Sequence, residues 1–528
     1  MSRAAPEWTP ETPAPTDTPS TPGTARSRMW TFVRRLDGVL AVAIAAAAAL
    51  RFWRLSAQSL WYDEWLTSST VSGGVRQILR HVENREGIAP TYFLLMHGWV
   101  RLFGAGETAL RSVSALAGTA TVAVAYAIAR ELGLRRATAR VAAFLVAVSP
   151  MLVWYSQEAR PYSIVAFLGA LSFLTFVRAR NRGRRQDFLV WALVCASTVA
   201  FHYFAAFIVA TEAMALLLSR RNQWREVLLS CVPGAVVLSA LAPLAAIQYS
   251  HTENRQWISG FGLRYRLSEA GRSALVGPSP PSGRLWIAAA MIAALAALLI
   301  VTWTGHAERR AAALTIAVAG GAVVLPLGAV VVGVDVVLAR YLIASLVPLV
   351  VAASIGLATH RAPWIGGAAA VVLCAISLTV VVAVARDPRL QKPDWRAVAR
   401  VFETGASGRV LLMNASGLLG SPLLTYVHDV RALGDTESAR IEEIDVLALK
   451  PTKKPCNLLV GTACGMVFLG APLPTPITDG FHLEKRYQLP QFTVDRYRAV
   501  TPRPVTKAQL VAPQDLPGAL ALVSTTRG

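Results

Sequence analysis

Charge is scarce in this chain, and acid is scarcer than base. Only 16% of the 528 residues are charged and 54% are hydrophobic, with a mean hydropathy of +0.45. A soluble domain carries roughly 25% charged residues, so a soluble fold is excluded. The 31 acids stand against 52 Lys and Arg, a net charge of +21. Such an excess is one signature of nucleic-acid binding. Here most of the arginines cluster in short links between apolar runs, the pattern of cytoplasmic loops in membrane proteins. No basic patch with stacking aromatics accompanies them, which excludes nucleic acid as a partner. Cysteine is scarce too, at five residues. Cys195, Cys231 and Cys374 lie inside apolar runs and read as small packing residues. Residues 1–28 lack any apolar period and are rich in Pro, Thr, Ser and Ala, so they are expected to form a disordered cytoplasmic tail. They do not read as a signal peptide, because the first apolar segment comes late and follows a charged flank.

What the chain has in abundance is apolar runs near the ~18 residues that read as membrane spans. Arg34 and Arg35 precede the first run, about 38–54, and place the N-terminus in the cytoplasm. Asp63 and Glu64 then fall on the outer face. The run 92–103 is too short to cross, whereas 107–130 is long enough and ends in a basic link over 130–136. Only an odd number of crossings reconciles these two ends. Segments 75–86 and 90–104 are therefore expected to lie in the plane of the interface, within a first outer loop spanning 55–106. Further spans follow at about 139–155, 161–177, two short ones over 187–219 divided at His202-Tyr203, then 226–247, 285–304, 311–333, 341–359 and 364–384.

The total is about eleven spans, which puts residues 386–528 outside. That tail has the length of a domain. It holds strand-like runs at 410–413, 457–460 and 466–469 and a helix-like run at 395–403, suggesting a small α/β fold. The expected architecture is thus a polytopic α-helical membrane protein, residues 29–385, with a small extracytoplasmic α/β C-terminal domain. In an oxidising compartment Cys456 and Cys464 are expected to form a disulfide.

The stretch that organises the rest is Leu60-Trp61-Tyr62-Asp63-Glu64-Trp65, two carboxylates among three aromatics just beyond the first span. Acids so close to hydrocarbon are costly unless a site uses them. Glu158 and Arg160, His202 and Tyr203, and Asp335, Arg340 and Tyr341 recur at the same face. Singly each reads as a belt or snorkelling residue. Together they line a cavity in which a carboxylate deprotonates an acceptor hydroxyl and guanidiniums hold a phosphate leaving group. Arg111, inside an apolar span, reads as a residue near the site or an ion-pair partner of an outer acid. Group transfer from a lipid-linked phosphate fits this set.

Four passages resemble the membrane glycosyltransferases of the GT-C fold, in the branch of the bacterial protein O-mannosyltransferases and the lipid A aminoarabinose transferase. They are Trp61-Tyr62-Asp63-Glu64; Leu102-Phe103-Gly104 with Glu107, Ala109-Leu110-Arg111 and Ser114-Ala115-Leu116; Trp154-Tyr155-Ser156-Gln157-Glu158-Ala159-Arg160-Pro161-Tyr162; and Ala339-Arg340-Tyr341-Leu342 with Pro348. The start of the outer domain, Asp394-Trp395-Arg396-Ala397-Val398-Ala399-Arg400, is also similar. The resemblance covers about 38–430, most strongly 58–176. It implies a polyprenyl-phosphate sugar donor, inversion at the sugar carbon, and Asp63 as catalytic base. It implies that Glu64 and Glu158 position acceptor or sugar or, in some relatives, a divalent metal through carboxylate oxygens. Arg160, Arg340 and Tyr341 would face the donor phosphate. Trp61, Tyr62, Tyr155, Gln157, Tyr162, His202 and Tyr203 would line the site. One departure stands out: Ala89-Pro90-Thr91 replaces a basic-Pro-Pro motif; Glu86 reads as an exposed loop acid, with a substitute polar group for that motif as the alternative.

The expected function is therefore an inverting transfer of a sugar, mannose favoured, to an extracytoplasmic glycan, lipid or protein hydroxyl, in the plasma membrane of a bacterium. An alternative keeps the mechanism and takes decaprenyl-phosphate arabinofuranose to a cell-wall glycan. An alternative of another class is a polytopic lipid or sugar transporter. The sequence weighs against it, since no internal repeat is visible and the polar groups gather at one face and not at the midplane.

Overall fold

The computed structural model describes residues 37–251, 258, 261–335, 337–403, 408–414, 421–449, 480–511 and 519–524. The N-terminal tail with Arg34 and Arg35, the runs 457–460 and 466–469, and Cys456 with Cys464 lie outside the described residues.

Every membrane span read from the sequence is helical. In chain order the helices are α1 (Gly38–Phe52), α2 (Tyr62–Val71), α3 (Val75–Arg85), α4 (Thr91–Phe103), α5 (Glu107–Glu131), α6 (Arg136–Val148), α7 (Pro150–Ser156), α8 (Tyr162–Arg182), α9 (Arg185–Phe201), α10 (Ala205–Ser219), α11 (Trp224–Ser250), α12 (Leu263–Val276), α13 (Gly283–Trp303), α14 (His306–Val331), α15 (Leu346–Leu357) and α16 (Pro363–Arg386). A 3-10 turn, Ala339–Ser345, leads directly into α15. Among the described residues, seven helices or helix runs are long and apolar enough to cross a membrane, and α6 with α7 makes an eighth if that bent pair is one span; α1 and α10 are shorter apolar helices. The chain is a multi-pass membrane protein.

The breaks in this bundle have local causes. The α6–α7 bend of 52° falls at Ser149-Pro150. Proline suits the first turn of a helix but not its interior, so α7 starts anew there. The end of α6 leaves carbonyls without amide partners, and Arg51 of α1 supplies them, bonding Ala147 O at 2.8 Å and Val146 O at 3.1 Å. Gly118 of α5 passes so close to Ser156 and Arg51 that any side chain would collide with them. The long apolar run 187–219 is broken as expected, with His202 after the end of α9.

Helices α2, α3 and α4 do not extend the bundle but cover one end of it. On α3, Ile78 and Val82 point inward, one turn apart, while Arg76 and Arg80 are exposed, the pattern of a helix lying on a surface. Together with Leu60, Val71, Tyr92, Phe93, Met96 and Leu110 they make a small core of their own.

Beyond α16 comes α17 (Trp395–Glu403) and a sheet of β1 (Arg409–Asn414), β2 (Val430–Ala432), β3 (Ser438–Leu449), β4 (Phe481–Gln488), β5 (Phe492–Thr506) and β6 (Ala519–Ser524). The strand order is β2-β6-β1-β3-β5-β4; β1 and β3 are parallel and the other pairs antiparallel. The alternation of β1 sends Leu411 and Met413 to one face, against Trp395, Val398, Ala399 and Phe402 of α17, and Val410 and Leu412 to the other. This sheet domain rests on the helix-covered end of the bundle. Trp395 N–H bonds Ser59 Oγ at 3.0 Å, and the Tyr426 hydroxyl accepts from Leu60 N at 2.6 Å and donates to Glu107. Arg396 pairs with Glu107 as well.

Candidate active site

Four carboxylates crowd the end of the bundle beneath α2–α4, and their partners separate them into two kinds. Glu64, fully buried in the first turn of α2, receives both edges of the Arg111 guanidinium at 2.7 and 2.6 Å and the amide of Ala159 at 2.9 Å. Burial pushes its carboxyl up, but Arg111, Lys392 and these hydrogen bonds outweigh it and hold the group at about 2. Arg111 spends its remaining donors on the carbonyls of Leu55, Gln58 and Ser59. Glu86 is likewise buried, bound edge to edge by Arg160 with two contacts of 2.9 Å. Burial raises its carboxyl against the pull of Arg160. Arg160, expected to face phosphate, thus has both terminal nitrogens on Glu86. Its Nε is buried without a hydrogen-bond partner among the described residues.

Glu158 has one oxygen 2.9 Å from Lys392 Nζ, while Oε1 is buried with no hydrogen-bond partner among the described residues. Burial pushes this carboxyl up, against Lys392. The Lys392 ammonium stands 4.7 Å from the Trp61 ring centre and 5.3 Å from that of Trp154. Asp63 differs from all three. It keeps 16% of its side chain accessible, and its Oδ2 lies 3.3 Å from Arg340 Nη1.

Around Asp63 and Arg340 the structure brings together Tyr155, Tyr162, His202 and Tyr341. The Arg340 guanidinium lies 5.5 Å from the ring centres of both Tyr162 and Tyr341. Tyr155 packs edge-on to Tyr162 at 5.1 Å, and His202 lies 5.2 Å from Tyr341. The 3-10 turn that carries Arg340 and Tyr341 can approach because Gly169 of α8 lies against Ala344, with no room for a side chain. His202 Nδ1 accepts the amide of Phe204 at 3.2 Å, which leaves the proton on Nε2, and that atom is buried and unpartnered. Burial, Arg340 and Arg160 push the imidazole down to about 3, so it is neutral near pH 7. The Tyr155 hydroxyl, like His202 Nε2, is buried without a hydrogen-bond partner among the described residues.

The remaining expected lining residues lie elsewhere. Gln157 caps the end of α1, donating to the carbonyls of Leu50, Arg51 and Trp53. Tyr203 bonds Gln248, which in turn holds the carbonyls of Val82 and Ile88. Tyr62 stacks by Trp65 at 6.0 Å, and burial and Asp63 raise its hydroxyl to about 12. A shallow groove opens beside Trp154, Gln157, Pro278 and Val381, but neither Asp63 nor Arg340 lines it. Among the described residues no three His, Cys, Asp or Glu gather as a metal site. Of the three carboxylates that the resemblance offers to a metal in some relatives, Glu64 is bound by Arg111 and Glu158 by Lys392.

Lys392 has no place in the sequence reading. It stands 234 residues after its partner Glu158, as the difference of their numbers gives, in an ordinary Gln-Lys-Pro-Asp context. Its neighbours Asp394-Trp395-Arg396 were the only signal.

The fold is that of the GT-C membrane glycosyltransferases. Residues 88–247 match the family model of dolichyl-phosphate-mannose-protein mannosyltransferases. That stretch takes in Glu158, Arg160 and His202 but neither Asp63 nor Arg340. The crystal structure of ArnT from Cupriavidus metallidurans shares the fold at 12% identity, over 89% of this chain and 98% of that one, with a TM-score of 0.50. The oligosaccharyltransferase of Archaeoglobus fulgidus is similar at 13% identity over 70% of this chain, with a TM-score of 0.40, and the chain spans 56% of its length. The S. cerevisiae Pmt1-Pmt2 protein O-mannosyltransferase is similar at 16% identity over 44% of this chain and 35% of that one, with a TM-score of 0.32. No curated protein matches the sequence.

Proposed function

We propose that the chain transfers a sugar, mannose favoured, from a polyprenyl-phosphate carrier to an acceptor hydroxyl at the extracytoplasmic face, with inversion. The observation that carries this reading is the state of Asp63. Glu64, Glu86 and Glu158 are buried in ion pairs, whereas Asp63 remains accessible beside Arg340. Asp63 takes the acceptor proton as the hydroxyl oxygen bonds to the anomeric carbon. The bond from that carbon to the phosphate oxygen breaks, and the electron pair leaves with the polyprenyl phosphate. Arg340 stabilises the growing negative charge of the phosphate. His202 Nε2–H and the Tyr155 hydroxyl offer neutral hydrogen bonds to donor phosphate or sugar. Glu64 and Arg160 act on the site's shape, through Arg111 and Glu86. The family matched over residues 88–247 supports both the lipid-phosphate carrier and mannose.

The test is donor consumption by the purified protein, with polyprenyl-phosphate mannose and arabinose in parallel and a membrane extract as acceptor source. Wild type is expected to consume mannose donor, and Asp63→Asn to lose activity by about 100-fold or more, the usual range for a general base. Consumption of the arabinose donor alone would replace the sugar. Full activity of Asp63→Asn would remove Asp63 from its role, and failure to bind either donor would sink the transferase reading.

A further inference from the structure

The groups of the site come from the bundle and from the first loop with its helices, with one exception among the described residues. Lys392 lies in the link between α16 and the C-terminal domain, yet its side chain is 5% exposed and reaches Glu158, itself 1% exposed. The ammonium is enclosed by two indole rings, Trp61 from the first loop and Trp154 from α7, and by one carboxylate. Aromatic faces and a carboxylate are the groups that bind a desolvated ammonium. The link is held on both sides of this lysine. Lys392 N–H meets Gln58 Oε1 at 3.4 Å, Ser59 Oγ donates to Pro393 O at 3.1 Å, and Arg396 pairs with Glu107. Glu158 meanwhile keeps one buried oxygen with no hydrogen-bond partner among the described residues. A carboxylate held by one oxygen and open at the other is oriented to accept a hydrogen bond from a hydroxyl.

We propose that Lys392 is a positioning residue for the transfer reaction: the C-terminal domain delivers it onto Glu158, fixing that carboxylate so that its second oxygen receives a substrate hydroxyl. The inference rests on the transferase reading above. It makes the C-terminal domain part of the active site, because the link that carries Lys392 is anchored by that domain's first helix.

Two measurements on the full-length purified protein test it. In steady-state kinetics, Lys392→Met is expected to lower kcat about tenfold with donor KM little changed, as a misplaced reacting group does. Lys392→Arg is expected to recover most of the loss. In a Glu158→Gln background Lys392→Met is expected to add nothing. An equal loss in both backgrounds, or none in wild type, overturns the proposal. Amide hydrogen exchange over residues 390–396 gives a readout free of activity and of the folding of the lysine variants. Glu158→Gln is expected to speed exchange there, and unchanged exchange overturns the proposal. Absence of turnover by wild type would remove the transferase reading and this role with it, while the exchange result would still show whether the tie exists.

Discussion

Two parts of the molecule bury arginine–carboxylate networks, and they are built to different standards. In the C-terminal sheet, Arg496 meets Asp445 at 2.7 and 2.8 Å, the Val401 carbonyl at 2.7 Å and the Tyr487 hydroxyl at 3.1 Å. Arg409 binds Glu443 and the Phe402 carbonyl beside it. In that domain Gln491 Oε1 is the one buried side-chain polar atom lacking a hydrogen bond among the described residues. Around Asp63 the count is reversed: Trp61 Nε1, Trp154 Nε1, the Tyr155 hydroxyl, Glu158 Oε1, Arg160 Nε and His202 Nε2 are all buried and unmatched. An unmet buried polar group costs roughly 1–3 kcal/mol. The sheet avoids that cost and the site accepts it several times over. A closed network suits a structural role, and the unmatched donors and acceptors around Asp63 suit the ligand-binding role proposed for that site.

The comparison is broken or sharpened by removing one arginine from each network. Arg340→Met is expected to cut turnover about 100-fold or more while the unfolding midpoint stays near wild type, since loss of one charge-stabilising donor has that scale. Arg409→Met is expected to do the opposite, costing about 1–3 kcal/mol of domain stability, because buried Glu443 loses Arg409 and keeps only Arg498 at 3.2 Å and Arg496 at 3.8 Å. Thermal unfolding and donor consumption on both variants decide it, and the same response from both would erase the distinction.

Glu64 provides a test by pH. Its folded carboxyl lies at about 2, below the ordinary 4.5. The ionised form is therefore the stabilised one. Its contribution is complete above pH 4.5 and is lost as the pH falls from there toward 2. The unfolding midpoint of wild type should fall over that window, and that of Glu64→Gln should fall less steeply. A smaller effect separates two tyrosines. Tyr155→Phe should leave stability unchanged and lower kcat/KM by about three- to tenfold, the worth of one hydrogen bond. Tyr487→Phe in the sheet should cost about 1 kcal/mol of stability and no activity.

Much of the fold was legible because membrane insertion writes itself into composition. Apolar length and arginine placement locate the long helices of the bundle, the helices α3 and α4, and the break at His202, but not α2 or α12. The first strand β1 and helix α17 also follow from local pattern. The strands β3 to β6 do not, since β4 and β5 carry charged residues on exposed faces that mask their alternation. The candidate site was legible as an inventory of charged groups and not as a set of pairs. Nothing local says that Glu64 takes Arg111, 47 residues away, or that Arg160 takes Glu86, 74 residues away. Glu86 looked like a loop acid and is buried. Lys392 looked like a linker residue and lies at the centre.

Arg51 bears on how the chain is made. Two of its three carbonyl partners, on Val146 and Ala147, are synthesised 95 and 96 residues later. Until they arrive, a guanidinium at the end of α1 has only Ala47 O, at 3.3 Å, and must keep to water or headgroups. Arg51 therefore completes its set of carbonyl partners only once the segment broken at Pro150 has folded against it, which ties α1 to the α6–α7 pair as one unit.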